Sequence, residues 1–155
     1  MLLSMADELP NPEQVFRHIP CLCSVLMLAT RTVTRLYDEE LRTVGLEPTQ
    51  HGMLLMVKSI GSMTLGELGE RLALDKTTVS RNAKILVRNG WLSLARGEDG
   101  RERIALLTEA GAKKLAQARP YWERAQQRMR KALPAGGFES VRRQLPDLAL
   151  AALKA

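Results

Sequence analysis

The stretch Leu72-Ala-Leu-Asp-Lys-Thr-Thr-Val-Ser-Arg81, inside the segment Thr64 to Thr108, decides the fold of this chain. Thr64 and Glu67 form a Thr-x-x-Glu capping box, which favours a helix that begins at this point. The leucines at positions 65, 68 and 72 then share one face of that helix. Asp75 is a typical N-cap for a second helix. The pattern predicts two short helices joined by a tight turn.

The second helix has one apolar face and one face of hydrogen-bond donors. We expect the apolar face to be buried, and it consists of Val79, Ala83, Leu86 and Val87. Asn89-Gly90 should end the helix, because glycine readily adopts the left-handed conformation of a helix exit. The outer face carries donors suited to phosphates and base edges, namely Lys76, Thr77, Ser80, Arg81, Lys84 and Arg88. Thr77, Thr78 and Ser80 also suit a first helical turn, and we expect at least two of them to contact DNA.

A basic β-hairpin is predicted directly after the second helix. Strand-like runs cover residues 91–96 and 102–107, where Leu92/Leu94 and Ile104/Leu106 alternate with period two. The loop between them, Gly97-Glu-Asp-Gly100, favours a tight turn. Arg96, Arg101 and Arg103 lie around its tip. A helix-turn-helix followed by such a hairpin is a winged helix, so the expected fold is mainly α with a small β-hairpin wing.

The rest of the chain is predicted to be helical and to mediate dimerisation. One helix should start near Asn11 and Pro12, and a longer one should run from Pro20 to about Val44. Pro48 should begin the helix before the helix-turn-helix. After the wing, Thr108 should cap a long helix that is kinked at Pro120, and a last stretch is interrupted at Pro146. We therefore divide the chain into a winged helix-turn-helix at 48–107 (64–89 helix-turn-helix, 91–107 wing) and a dimerisation region at 11–47 and 108–155.

Apolar stripes on the outer helices are the reason to expect a homodimer. The stripe of the long first helix consists of Leu22, Val25, Leu26, Ala29, Val33, Leu36, Tyr37 and Leu41. A monomer would expose this stripe, whereas soluble monomers seldom expose large apolar patches. A two-fold dimer would also present two reading helices to successive major grooves of a palindromic site.

The composition of the chain limits where the protein is expected in the cell and whether it could be an enzyme. The chain has 155 residues, 45% of them hydrophobic, which suits one domain with helical extensions. We expect a cytoplasmic protein, because the N-terminus does not read as a signal peptide and no apolar run approaches the ~20 residues that span a bilayer. Two cysteines fit a reducing compartment. With two histidines and no catalytic motif, an enzyme is not expected, and neither is a cofactor.

The net charge of +6 is not concentrated in the predicted DNA-reading segment. Residues 64–107 hold 8 Lys/Arg and 6 Asp/Glu, whereas residues 108–155 hold 10 and 4. The placement of basic side chains on the second helix and the hairpin therefore matters more than the total. The excess of positive charge in the C-terminal helices indicates either a face exposed to solvent or a contribution to the attraction of DNA.

Six short motifs in register resemble the MarR family of bacterial regulators, roughly from Cys21 to Met129. They are Gly45-Leu46-x-Pro-Thr-Gln50, Leu65-x-x-Leu68-x-x-x-Leu72, Thr77-Thr-Val-Ser-Arg81, Asn89-Gly90-Trp-Leu92, Asp99-Gly-Arg101 and Leu107-Thr-Glu-Ala-Gly111. The resemblance implies a homodimer that usually represses transcription. It also implies that DNA is released when a small molecule, often phenolic, or an oxidant reaches a site between the dimer helices and the helix-turn-helix. It also implies that Ser80 and Arg81 face bases, and that Asp99 orients Arg101 in the minor groove.

Three positions depart from the family pattern and concern sensing more than DNA binding. Glu47 stands where a capping Thr is common, His51 replaces an aromatic or aliphatic residue, and Ala83 replaces a larger apolar one. His51 is either a satisfied interior histidine or an effector contact. Met27 and Arg31 are further candidates for the wall of an effector pocket, where an arginine can pair with an aromatic carboxylate. Trp91 and Trp122 are expected in the core.

Cys21 and Cys23 leave three alternatives open. With Pro20 at the first helical position, both thiols would lie in the first turn, where the helix dipole lowers a thiol pKa. They are then a redox switch, or ligands of a soft metal together with His18, or one of them packs in the dimer interface and the other has no special role.

Two rival functions also remain at this point, namely non-specific nucleoid binding and a winged helix used for protein interaction. Sequence preference separates both from an operator-binding regulator.

Overall fold

The structure is a computed structural model that describes residues 12–98 and 100–155. The described residues form two compact units that divide between Arg35 and Leu36. The helices are α1 (Pro12–His18), α2 (Leu22–Leu41), α3 (Pro48–Ile60), α4 (Leu65–Leu72), α5 (Lys76–Arg88), α6 (Glu109–Ala132) and α7 (Gly137–Ala152). A 3-10 turn, Arg42–Val44, follows α2. Within the described ranges, no helix is both long and apolar enough to cross a membrane.

A three-stranded antiparallel sheet forms the wing. Its strands are β1 (Met63–Thr64), β2 (Leu92–Arg96) and β3 (Arg103–Leu107), in the spatial order β1-β3-β2. The fold class expected from the sequence is confirmed, and β1 is an addition that the sequence pattern did not indicate. On β3, Ala105 is buried and Leu107 packs against the core, whereas Leu106 is exposed.

The helix-turn-helix begins with the capping box that the sequence predicted. The Thr64 hydroxyl accepts a hydrogen bond from the Glu67 amide at 3.1 Å, and the Glu67 carboxylate accepts one from the Thr64 amide at 2.8 Å. This reciprocal capping box satisfies two amides at the start of α4. Between α4 and α5 the chain turns through Ala73, which has φ +51° and is the one described non-glycine residue with positive φ. That conformation strains an L-residue with a side chain.

The core of the second unit lies among α3, α4, α5, α6 and the sheet. Its largest fully buried side chains are Leu41, Leu46, Met53, Leu54, Leu68, Leu86 and Leu92. Trp91 and Trp122 both pack against this cluster, as expected. One face of α5 therefore packs against the core, and the opposite face of the helix is exposed.

Several details of the sequence interpretation were wrong. Val87 is 37% exposed, and the buried face of α5 includes Asn82, which was not expected there. The last helix continues through Pro146 as one element. The helix expected from Pro20 starts two residues later, at Leu22, so Cys21 precedes it. The proposed cap Asn11 lies outside the described residues.

Candidate nucleic-acid interface

An N-terminal cap at Asp75 and a buried side-chain amide at Asn82 stabilise the first turns of α5. The Asp75 carboxylate accepts hydrogen bonds from the Thr78 amide at 2.9 Å and from the Thr78 hydroxyl at 2.6 Å. Because these bonds favour the ionised form, they hold the pKa of Asp75 below its usual value. The Thr78 hydroxyl is thus engaged in the cap, and this residue lies in the first turn of the helix. Its predicted contact with DNA remains untested.

Asn82 is a structural residue of the interface that the sequence analysis missed. It is 3% exposed, and its side-chain amide donates to the Thr78 carbonyl at 2.9 Å. A buried polar group of this kind costs free energy unless it is hydrogen-bonded. The local bond to the preceding turn satisfies it, and its only sequence signal is its spacing of three from Val79.

The exposed face of α5 forms a shallow depression, which we call the α5 depression. Its volume is about 500 Å³, and it is lined by Lys76, Thr77, Ser80, Arg81, Lys84 and Ile85. The first five were predicted DNA contacts, and the structure brings them together on one surface. Lys76, Arg81 and Lys84 give this surface positive charge, which suits phosphates and the acceptor-rich edges of bases.

A second depression, the wing depression, lies between α5 and the hairpin. Its volume is about 300 Å³, and its lining is Thr64, Leu65, Gly66, Lys76, Val79, Ser80, Arg101, Glu102 and Arg103. Two predicted wing arginines, Arg101 and Arg103, thus border the same space as Lys76 and Ser80 of the helix. Arg96 lies opposite Arg103 in the register of β2 and β3, and it is not part of this lining. Asp99 lies outside the described residues, so its role in orienting Arg101 stays a prediction.

The end of α5 is fastened to the start of α6. The Thr108 hydroxyl donates to the Gly90 carbonyl at 2.6 Å and accepts from the Gly111 amide at 2.9 Å. A Cβ atom at Gly111 would lie 2.1 Å from the Trp91 carbonyl oxygen, so only glycine fits between the two backbones. The Lys114 ammonium lies 4.7 Å from the centre of the Trp91 ring. These contacts define a junction, Gly90–Trp91 with the first turn of α6, that sets the direction of both helices.

Behind the interface lies an α3–α6 cavity of about 360 Å³. Its lining is His51, Leu55, Lys58, Leu115, Ala116, Arg119, Trp122 and Glu123. His51 is 9% exposed and its ring stacks against Trp122, with 6.4 Å between the ring centres. Burial disfavours the charged imidazolium and so lowers the pKa of His51. His51 is therefore both an interior residue and a wall of the cavity.

Two cations of this cavity were missed from the sequence, Lys58 and Arg119. Arg119 donates to the Glu123 carboxylate at 2.8 Å. The two cations lie on helices that are distant in sequence, so no local pattern links them. The predicted pocket residues Met27 and Arg31 belong to the first unit, where both are exposed. Their grouping with His51 in one pocket remains a prediction.

Cys21 and Cys23 are free and exposed. The amide and the hydroxyl of Ser24 donate hydrogen bonds to the Cys21 sulfur and lower the pKa of that thiol. Among the residues that the structure describes, no three histidine, cysteine or acidic side chains come close enough to hold a metal ion. Both thiols are exposed in the single chain, so packing of one of them in a dimer interface stays a prediction.

Comparison with known proteins finds matches to both the sequence and the fold. The family model of the MarR family matches residues 44–102. The uncharacterized HTH-type transcriptional regulator YwoH of Bacillus subtilis is 35% identical over 86 residues, which cover 56% of this chain and 63% of that protein. The organic hydroperoxide resistance transcriptional regulator of the same species is 30% identical over 92 residues, covering 59% and 63%. The chain thus aligns with slightly less than two thirds of either relative.

Solved structures match over a larger part of the chain. The crystal structure of the M. tuberculosis transcriptional regulator MosR has a TM-score of 0.76 and 31% identity, covering 88% of this chain and 98% of that one. The structure of the same regulator in complex with DNA has a TM-score of 0.75 and 30% identity, with 86% and 97% covered. The likeness extends well beyond the segment that the family model matches.

Proposed function

This chain belongs to the MarR family, and from that premise we propose that it is a transcriptional regulator that binds a palindromic DNA operator as a homodimer and represses transcription. The main support for DNA binding is the α5 depression, where five residues predicted to contact DNA share one exposed surface. The fold match to a regulator solved together with DNA supports the same use of this surface. A bacterial regulator of this kind works in the cytoplasm, where the DNA lies.

Dimerisation is proposed from apolar side chains that the single chain leaves uncovered. Exposed members of this set on the N- and C-terminal helices are Val15, Phe16, Leu22, Met27, Val33, Val141, Leu145 and Leu150. Exposed apolar surface of this extent is unfavourable in water and marks association surfaces. Because C2 dimers are the commonest homo-oligomers, a second copy is the economical partner. Analytical ultracentrifugation of the purified protein tests this, and a monomer at micromolar concentration would contradict it.

Sequence preference is the test of operator binding. DNA selected from a random pool should contain an inverted repeat, and the protein should prefer it to bulk DNA by about 10³-fold or more at physiological salt. Arg81→Ala should weaken the preference for one base position, whereas Lys84→Ala should lower affinity evenly and reduce the salt slope. Lys154→Ala, near the C-terminus, is the matched control. Equal binding to selected and scrambled DNA would favour the non-specific alternatives.

We further propose that a small anionic aromatic molecule binds in the α3–α6 cavity and releases DNA. Apolar walls from Leu55 and Leu115 suit a ring, and Lys58 and Arg119 suit a carboxylate or phenolate. The cavity lies between α3, the helix before the helix-turn-helix, and α6, the helix after the wing. A ligand there acts on both, and the junction at Gly90–Trp91 carries the change towards α5.

Salicylate is the probe for this part of the proposal. It should raise the melting temperature of the protein and weaken operator binding, and Arg119→Gln should reduce both effects. Lys113→Gln is the control, because Lys113 is an exposed α6 lysine outside the cavity lining. If salicylate and a panel of related phenols change neither quantity, the cavity is not an effector site of this class.

A cysteine-based redox sensor is the second candidate function. The lowered pKa of Cys21 favours the thiolate, which is the form that peroxides oxidise. One relative carries the name of an organic hydroperoxide resistance regulator, which supports this candidate. Cumene hydroperoxide should then weaken operator binding of the wild type, and a Cys21→Ser/Cys23→Ser double variant should lose that response. A double variant that responds like the wild type would refute the redox role.

A further inference from the structure

Ile85 is the one lining residue of the α5 depression that is apolar, since its neighbours there are Lys76, Thr77, Ser80, Arg81 and Lys84. It is half-buried, and it belongs neither to the core cluster nor to the partly buried side chains packed against that cluster. The core side of α5 is formed by Val79, Ala83 and Leu86 instead. Part of the apolar surface of Ile85 is therefore exposed on the face that we propose for DNA.

The floor of the major groove offers one apolar group, the 5-methyl of thymine. An isoleucine among cationic and hydroxyl side chains gains nothing from phosphates, but it gains from contact with that methyl. We propose that Ile85 is a specificity-determining residue that recognises a thymine through its 5-methyl group. This inference rests on the proposed operator binding and adds to it the identity of one base.

The position of this thymine follows from helix geometry. Ile85 lies four residues after Arg81, one helical turn, which is about 6 Å along the axis of α5. Base pairs are spaced by about 3.4 Å, so this offset corresponds to one or two base pairs. The proposed thymine therefore lies within about two base pairs of the base that Arg81 contacts.

Uracil substitution tests the proposal, because deoxyuridine pairs as thymidine does and lacks only the methyl group. The full-length protein is titrated against its selected operator by fluorescence anisotropy, with each thymine of one half-site replaced in turn. Loss of one buried methyl should weaken binding about fourfold at a single position. 5-Bromouracil at that position should restore affinity, because bromine fills nearly the same volume as the methyl group.

The protein variants then assign the effect to Ile85. Ile85→Ala should bind the thymine and uracil operators equally, whereas Ile85→Val should keep part of the difference. Val87→Ala is the control, because Val87 is 37% exposed on the same helix but does not line the α5 depression. It should keep the full fourfold difference. Melting temperatures establish that each variant is folded, and the ratio of the two affinities is independent of a general loss of binding.

Two results would overturn the proposal while the proposed function stands. In one, Ile85→Ala keeps the wild-type penalty for uracil; in the other, no thymine methyl of the operator matters to the wild type. If the wild type shows no sequence preference at all, the operator-binding function itself is refuted, and this inference is refuted with it.

Discussion

Replacing Gly111 with alanine should destabilise the protein, although Gly111 is in a helix, where alanine is intrinsically preferred. The added Cβ would lie 2.1 Å from the Trp91 carbonyl oxygen, 3.0 Å from the Trp91 carbonyl carbon and 2.8 Å from a methyl of Leu107. The first two atoms belong to the backbone, so rotation of a side chain cannot relieve the clash. The strand start and the helix must separate, and this separation also strains the hydrogen bonds of Thr108.

The magnitude follows from two opposing terms. Overpacking of a well-packed site costs about 1–3 kcal/mol, and the backbone clash places Gly111→Ala at the upper end of that range. Gly→Ala in a helix interior returns up to about 1 kcal/mol. The net loss in the free energy of unfolding is therefore about 2 kcal/mol, which corresponds to a fall in Tm of about 4–8 °C for a chain of this length.

Gly52→Ala is the matched control, because Gly52 lies inside α3 and a Cβ there would meet no atom within 4 Å. This variant should gain stability, by up to about 1 kcal/mol. Urea denaturation of the three proteins, followed by circular dichroism, measures both changes. A Gly111→Ala variant as stable as the wild type would refute the inference that the α6 start and Trp91 are in backbone contact. The same variant should bind the operator more weakly, because the junction sets the direction of α5.

Three further predictions concern the turn and the cavity. Asp75→Ala should lower the Tm and weaken DNA binding, because the Thr78 amide and hydroxyl lose their acceptor, whereas Asp75→Asn should keep most of both. Ala73→Gly should raise the free energy of unfolding by up to about 1 kcal/mol in urea denaturation, because glycine removes the strain at φ +51°. Burial lowers the pKa of His51 in the folded state, so the unfolded chain binds the proton more readily, and stability should fall as the pH drops below about 6.5. A His51→Gln variant should show a smaller loss of Tm between pH 7 and pH 5, and an unchanged loss would contradict this assignment.

The features that could be predicted from the sequence are those that depend on neighbouring residues. The caps at Thr64 and Asp75, the exit at Gly90 and the donor face of α5 all follow from spacings of a few residues, and the structure contains each of them. The two-residue strand β1 has no periodicity of its own and forms only because β3 supplies its partners. Pro146 was read as an interruption because proline removes one helical hydrogen bond, yet the rest of α7 continues around it.

The candidate effector cavity shows the limit of sequence reasoning most clearly. His51 was singled out because its residue type departs from the family pattern. Lys58 and Arg119 carry no such mark, since lysine and arginine on helices usually lie in solvent. Only the packing of α3 against α6 brings these two cations to one space with Trp122. The sequence pattern therefore could not reveal the cavity, because its residues come together only when distant segments pack in the folded chain.

The pairing of β1 with β3 has a consequence for engineering. Thr64 is at once the last residue of β1, a partner of Ile104 and the cap of α4, so the strand that holds the wing also starts the helix-turn-helix. A graft that exchanges α5 alone would keep the old wing orientation, and one that exchanges the hairpin alone would place a foreign β3 against the original β1. The smallest transferable cassette for new DNA specificity in this scaffold is therefore Met63 to Leu107 as one piece.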